Sequence, residues 1–495
     1  AGSFVESISN NSFYAFLGLS NPQSPSAGFG RTSDWNTSLA NNPVDNFQYL
    51  SHYRDTSLFG KKITTENARR VVRKVDWVQG RQYDMYRHDY RQGNEAPVGR
   101  TVRLYDANYY IITDDFKIYI CIENGSSGLS PTVPASTIKP THTDVEPVTY
   151  SDNYRWKYLF KVSPSDVIKF DSTEYFVIPN NWETTTDSEI EIIRDGGNSD
   201  INNNQIKAVY IENGGSGFGN LDATVTYDIL GDGIGGKVSL TTTGEVITGV
   251  TVTQGGSGYT YGIVDLPTSS TPAKLIPIIP PSKGHGYNIY KELGADKVLL
   301  YARFDDSTKD FPIDTKFAQV GIIKNPETFS GAGITFTGNM FSSLSGIGLS
   351  LTESRDIIIG EQITQDQGSN IVAKGYVASF DKDTKVLKYY QDRSLCFGNK
   401  FDQTQSPDTK NIIPFNNENQ ISFTSSSGTE LIDKNLNGSI ITIDSKQIDL
   451  GVSFTNGLAN SEINKKTGDI IYIDNRPIVQ RDSRQKEDIK IILEF

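Results

Sequence analysis

Few residues of this chain have the types and spacing that chemistry requires. Its four histidines, His52, His88, His142 and His285, are scattered, and none stands at the i, i+4 spacing that presents two metal ligands on one helical face. His88-Asp89 and His142-Thr143-Asp144 are the best metal-donor pairs, and they read as solvated or interfacial histidines. His285 lies in Lys283-Gly284-His285-Gly286-Tyr287, with no nucleophile in sequence reach for it to activate. Asp114-Asp115 and Asp305-Asp306 are adjacent, so on a strand each pair points to opposite faces, the wrong arrangement for a paired acid and base.

Gly231-Asp232-Gly233-Ile234-Gly235-Gly236 satisfies the G-x-G-x-x-G string. The next residues, Lys237-Val238-Ser239-Leu240, read as a strand and not a helix, so no helix N-terminus is available to hold a pyrophosphate. The expectation is a hairpin turn. No catalytic residue, cofactor site or metal site is therefore expected.

The densest unusual stretch runs from Arg73 to Arg103, where arginines alternate with tyrosines. Arg81, Tyr83, Tyr86, Arg87, Tyr90 and Arg91 are candidates for a partner interface, since Arg and Tyr combine contact area with directional hydrogen bonding. Interspersed Asp76, Asp84, Asp89 and Glu95 allow intramolecular ion pairing as well, and they weigh against single-stranded nucleic acid.

The elements that must position these residues are mostly strands, because 44 glycines and 20 prolines leave little room for long helices. Phe116–Glu123 places Phe116, Ile118, Ile120 and Ile122 on one face and Cys121, a small packing residue, on the other. The last residues alternate through Ile489, Ile491, Leu493 and Phe495, so the terminal strand should be tied into a sheet. A helix is expected from Glu66 to about Val75, capped by Thr64 or Thr65, with a shorter turn at Pro164–Val167. Asp356–Ile359 and Lys385–Tyr390 read as strands.

Ile206–Phe218 recurs 41 residues later as Ile247–Tyr259, each copy a strand entering a glycine turn that ends on an aromatic. Two copies are too few for a solenoid, so 196–275 reads as an inserted β domain. Its turns carry Phe218, Tyr259 and Tyr261, expected to be exposed and able to contact glycan. A second β-rich insertion is expected at 330–465.

The length, 495 residues, suggests about three domains. Lys and Arg number 47 against 59 Asp and Glu, a net charge of −12 that disfavours a nucleic-acid coat. Two cysteines, Cys121 and Cys396, are too few for a disulfide framework. The first residues lack the basic start and apolar core of a signal peptide, and no apolar run is long enough to span a membrane. Neither nucleic acid nor membrane is expected as a partner.

Several separated blocks, in order, resemble the gene-product-eight family of baseplate wedge proteins from T4-like contractile-tailed phages. Gly30-Arg31-Thr32-Ser33-Asp34-Trp35 looks like its Gly-Arg-Ser…Trp element, and Arg73-Lys74-Val75-Asp76-Trp77 like its Arg-Arg-Asp-Trp element, with Val75 replacing a basic residue. Tyr154–Val162, including Trp156 and Tyr158, then Pro164, Asp166-Val167 and Glu174–Pro179, including Tyr175 and Pro179, match its strand, turn and strand. Phe311-Pro312 and Gln319–Pro326 resemble a later block. The most specific match is Gly468–Pro477, with Tyr472, Asn475, Arg476 and Pro477, and the strand to Phe495.

The resemblance implies a multidomain, mainly β protein of β-sandwich-type domains with a few short helices. Its core would comprise 1–195, 276–329 and 466–495, with the two insertions between them. It further implies a non-enzymatic structural subunit, assembled in the host cytoplasm into the virion's tail baseplate, that dimerises and bridges other wedge proteins. The matching residues are then structural or interface candidates, with Trp35, Trp77 and Trp156 weighted toward the core. The β-rich, acidic composition keeps one alternative of another class: a tail-associated polysaccharide-degrading enzyme or glycan-binding accessory protein.

Overall fold

A computed structural model describes residues 1–19, 42, 43, 45, 47–195, 205–305, 315–331, 333–351, 356–369, 371–391, 412–480 and 485–495. Arg31, Trp35, Phe311, Pro312 and Cys396 lie outside the described residues. The protein is mainly β, with short helices. The chain divides into two compact units, one of Ala1, Arg69–Leu299 and Ile492–Phe495, the other of Gly2–Ala68 and Leu300–Ile491. The expected core is thus shared between two bodies, each holding one of the expected insertions.

In the first unit, Tyr110–Ile112, Lys117–Asn124, Tyr154–Lys161 and Val148–Thr149 form an antiparallel sheet in that order. Both faces of Lys117–Asn124 are buried, Cys121 among them, so packing and not one-sided alternation sets its composition. The expected helix at 66–75 is absent. Thr65–Asn67 makes one 3-10 turn without a side-chain cap, and Ala68–Arg73 is a strand paired with Tyr175–Ile178. The buried Val71 and Val72 account for this, because β-branched side chains are stiff in a helix and pack well on a pleat. Glu487–Glu494 is itself a strand of a four-stranded sheet, so the terminal strand is tied down as expected. Pro164–Phe170 is helical as expected, its Asp166 N–H capped by Ser163.

The glycine-turn repeat is built as a mutual exchange. The Ile206 N–H donates to Gly255 O, and the equivalent Ile247 N–H donates to the equivalent Gly214 O, each at 3.0 Å. Gly215 and Gly256 hold φ of +62° and +61°. Each lies over its own copy's aromatic ring, Phe218 or Tyr259, and against a neighbouring segment, Thr271–Ala273 or the strand residues Ile234–Gly236. Copy two pairs with Ile234–Thr243, the strand before it, whereas Val209–Asn213 of copy one pairs with Lys274–Pro277, far along the chain. The module of copy one is therefore closed by the first and last strands of the region. A core from Ile206 to Ile279 fills it. The G-x-G-x-x-G string is the hairpin between Thr226–Gly231 and Ile234–Thr243, with Asp232 accepting the Thr260 N–H at 2.9 Å.

In the second unit, a five-stranded sheet runs Met340–Ser342, Ser57–Ile63, Phe13–Gly18, Lys316–Lys324, Asp469–Gln480. A nine-stranded sheet uses only residues between Ser345 and Ala459 and has its own core around Ile347, Ile363, Leu387 and Ile421. Val386–Tyr390 is one of its strands. Asp356–Ile359 is not, since its described residues form no ladder.

Candidate functional site

The arginine–tyrosine stretch runs against the sheet of Lys117–Asn124 and Tyr154–Lys161. The Tyr86 N–H donates to Cys121 O at 2.8 Å and the Tyr83 N–H to the Tyr154 hydroxyl at 3.0 Å. Trp156 is fully buried, stacked on Tyr154 at 5.5 Å and met edge-on by Tyr83 at 5.8 Å. Tyr83, Tyr86, Arg87 and Tyr90 are buried inside the chain's own fold, which corrects their assignment to a partner interface. Only Arg81 and Arg91 of that set are exposed. Burial drives the Tyr83, Tyr86 and Tyr90 phenols above their ordinary range, so they stay neutral donors.

Arg87 is the hinge of this arrangement. It makes a two-pronged contact to Asp89 at 2.9 and 2.7 Å, while its guanidinium lies 4.0 Å over the ring of Tyr210, in copy one of the repeat. Burial opposes its charge, but the Asp89 carboxylate outweighs burial and raises its pKa; Asp89 is lowered in turn. Four further bonds fasten the same strand region to the core. Arg155 donates to Lys207 O at 3.0 Å, Lys207 reaches Glu146 at 2.7 Å, the Gly128 N–H meets Ile211 O at 2.7 Å, and the Ile279 N–H meets His88 Nδ1 at 3.1 Å. Burial lowers the His88 pKa, which keeps that ring nitrogen free to accept.

Beneath the junction sit three charged or titratable groups. Lys157 is wholly buried and donates to Val145 O at 2.7 Å; burial, then Lys207, pull its pKa down to about 8. The His285 ring contacts Glu292 through Nδ1, and the Gly286 N–H donates to the same carboxylate at 2.6 Å. Tyr86 covers the His285 ring edge-on at 4.8 Å, and Trp182 Nε1 donates to Gly286 O at 3.0 Å. A histidine–carboxylate pair is the arrangement of a general base. Here both side chains are sealed from solvent, at 2% and 0% exposure, and the pair ties a loop to the helix Ile289–Glu292. Neither Glu292 nor Trp182 was marked by spacing or motif; the only sequence signal is Glu292 standing seven residues after His285.

The other sequence candidates are dispersed. Arg73 is exposed and is held by neutral acceptors, Asn108 Oδ1 at 2.9 Å and Ala107 O at 3.1 Å. It lines a cleft of about 550 Å³ with Tyr105, Tyr110, Tyr175 and Lys291. Asp76 is exposed, 3.9 Å from Lys74, and Trp77 is half-buried with Nε1 donating to Ser136 Oγ at 3.1 Å. Tyr158 packs on Tyr119 at 5.6 Å, and burial pushes its hydroxyl up to about 12. The Pro179 carbonyl accepts from the Tyr290 hydroxyl at 2.6 Å.

In the second unit, Tyr472, Asn475, Arg476 and Pro477 share the strand Asp469–Gln480. Gln319 Nε2 donates to the buried Asn475 at 2.7 Å, and Arg476 meets Asp474 at 2.6 Å. Pro477 falls where the pairing with Lys316–Lys324 slips register, the place in a sheet where a residue without an N–H is tolerated.

Phe218 and Tyr259 are 7% and 2% exposed, so they serve the core and not a glycan; Tyr261, at 61%, is the one exposed aromatic of the three. A cleft of about 430 Å³ beside Tyr259 is lined by His88, Ser257, Thr260, Ser282 and Lys283. Among the described residues, no cluster of three or more His, Cys, Asp or Glu side chains could hold a metal ion, and no helix is long and apolar enough to cross a membrane. No family model matches the chain, and no curated protein matches it significantly.

Proposed function

We propose that this chain is a structural, non-enzymatic subunit of a contractile-tail baseplate wedge in a phage virion, dimerising and bridging neighbouring wedge proteins. One observation carries the reading. The blocks that resemble the wedge family, Tyr154–Val162, Glu174–Pro179, Gln319–Pro326 and Gly468–Pro477, all supply strands of three sheets, the first and third inside their sheets and the other two at an edge. The two stretches without family counterpart build sheets of their own, except that Met340–Ser342 adds one edge strand to the five-stranded sheet. That division is what a shared scaffold enlarged by two insertions requires. The best-formed acid–base pair, His285 and Glu292, works as an internal tie, which suits a scaffold.

Light scattering on the purified chain, and co-expression with candidate wedge neighbours, test the proposal. The expected result is a dimer that co-purifies with a neighbour and is found in the tail baseplate of the assembled virion. A monomer that joins no neighbour overturns it.

A further inference from the structure

The nine-stranded sheet of the second unit ends differently on its two sides. One edge is Thr429–Glu430, two residues long and charged, the usual way of blunting an edge. The other is Gly438–Ile443, with sequence Gly-Ser-Ile-Ile-Thr-Ile: six residues without charge, proline or partner strand beyond it among the described residues. Ile440 is 54% exposed there. Such an edge is a template for another strand.

We propose that this edge pairs antiparallel with the same edge of a second copy. The hairpin fixes which backbone groups are free. Gly438–Ile443 and Lys446–Thr455 are joined by Asp444-Ser445, both at positive φ, with Ile443 opposite Lys446. In a two-residue hairpin that flanking pair exchanges hydrogen bonds, so the groups of Ile443 and Ile441 face inward and those of Ile440 and Thr442 face outward. A two-fold axis through Ile441, perpendicular to the sheet, sets Ile440 opposite Thr442 of the second copy and Thr442 opposite its Ile440. Both pairs then exchange their outward groups, about four new main-chain bonds. Ile441 meets Ile441, and Ser439 meets Ile443. The nearest charge on the edge, Asp444 in the turn, comes opposite Gly438, and Lys446 lies on the inner strand, so no like charges meet across the seam. The strand is therefore self-complementary in both hydrogen bonding and charge. This deepens the dimerising part of the proposed function and rests on it.

Sedimentation of the full chain, with Ile440→Lys, Thr442→Pro and the opposite-edge control Thr429→Lys, tests the pairing. Both edge positions are exposed, and proline at 442 removes only an outward N–H. The wild type and Thr429→Lys are expected to dimerise. Each edge variant should keep its circular dichroism and self-associate roughly 100-fold more weakly, from lost hydrogen bonds or an unpaired ammonium at the seam. Amide exchange at Ile440 and Thr442 should slow as wild-type concentration rises. A wild-type monomer, or edge variants that dimerise as tightly as wild type, overturns the pairing. A dimer through another surface overturns the edge alone, whereas a chain that joins no wedge neighbour overturns the assembly reading alone.

Discussion

The two copies of the glycine turn share a backbone and part company at the side chains that face the rest of the molecule. Both exchange the same hydrogen bond, both hold a glycine at φ near +60°, and both bury one aromatic ring. Lys207 and Tyr210 of copy one correspond to Thr248 and Thr251 of copy two. The first pair engages Glu146 and Arg87; both threonines are exposed. Repetition therefore specifies the turn, and departure from repetition marks the copy that is docked on the core.

The shared part is where disruption costs most. A Cβ at Gly256 would lie 2.5 Å from Ile234 O, and one at Gly215 2.5 Å from Thr271 O, in a conformation L residues rarely adopt. Gly215→Val and Gly256→Val should each destabilise the first unit by about 4 kcal/mol or more in urea unfolding. Similar losses would sustain the equivalence of the copies. A mild loss at either site would break it.

Docking comes next. Arg87→Met leaves Asp89 without its buried cation and Tyr210 without its cover, at a cost of about 3 kcal/mol. Thr251→Tyr, which gives copy two the docking residue without a dock, should change stability by less than about 0.5 kcal/mol. Equal effects of the two substitutions would end the distinction between docked and free copies.

Lys157 reports on the same asymmetry through pH. Its folded pKa, about 8, lies below the ordinary 10.5, so between those values the unfolded chain binds more protons and stability rises with pH. The penalty, about 3 kcal/mol, is fully present below pH 8 and relieved as pH climbs toward the ordinary value. Lys157→Met should therefore stabilise at pH 7, with a gain that fades by about pH 10.5. Lys207→Thr, which borrows the residue of copy two, should move the Lys157 titration upward in amine NMR. A gain independent of pH would show that the ammonium is not what burial penalises.

Sequence patterns revealed most of this fold and little of the junction. Alternation marked the strand around Ile118, and the 41-residue period marked both turns, because these are local signals. Val71 and Val72 lay in a stretch whose caps and charges imitated a helix, and strand pairing with Tyr175–Ile178 overrode them. The junction depends on Tyr210, Lys157 and Glu292, residues remote from Arg87 in sequence that only the folded chain brings together. Arg87 itself stood in a run typical of interfaces, and the interface it forms is internal, between one stretch of the chain and another.

The smallest effect tests the finest difference between copies. Tyr259 ends copy two where Phe218 ends copy one, and the segment each turn rests against carries Gly236 or Ala273 at the matching place. The Tyr259 hydroxyl accepts the Gly236 N–H at 3.0 Å and donates to Ile229 O at 2.8 Å. A Cβ at Gly236 would sit 2.8 Å from that hydroxyl, so tyrosine requires glycine there, whereas phenylalanine leaves room for alanine. Tyr259→Phe alone strands two buried polar groups, and Gly236→Ala alone creates a clash, each costing about 1–2 kcal/mol. Together they reproduce the chemistry of copy one, so the double variant should be less destabilised than the sum of the singles by about 1 kcal/mol. Additive losses in that cycle would mean that the tyrosine–glycine and phenylalanine–alanine pairings arose independently of the contact between them.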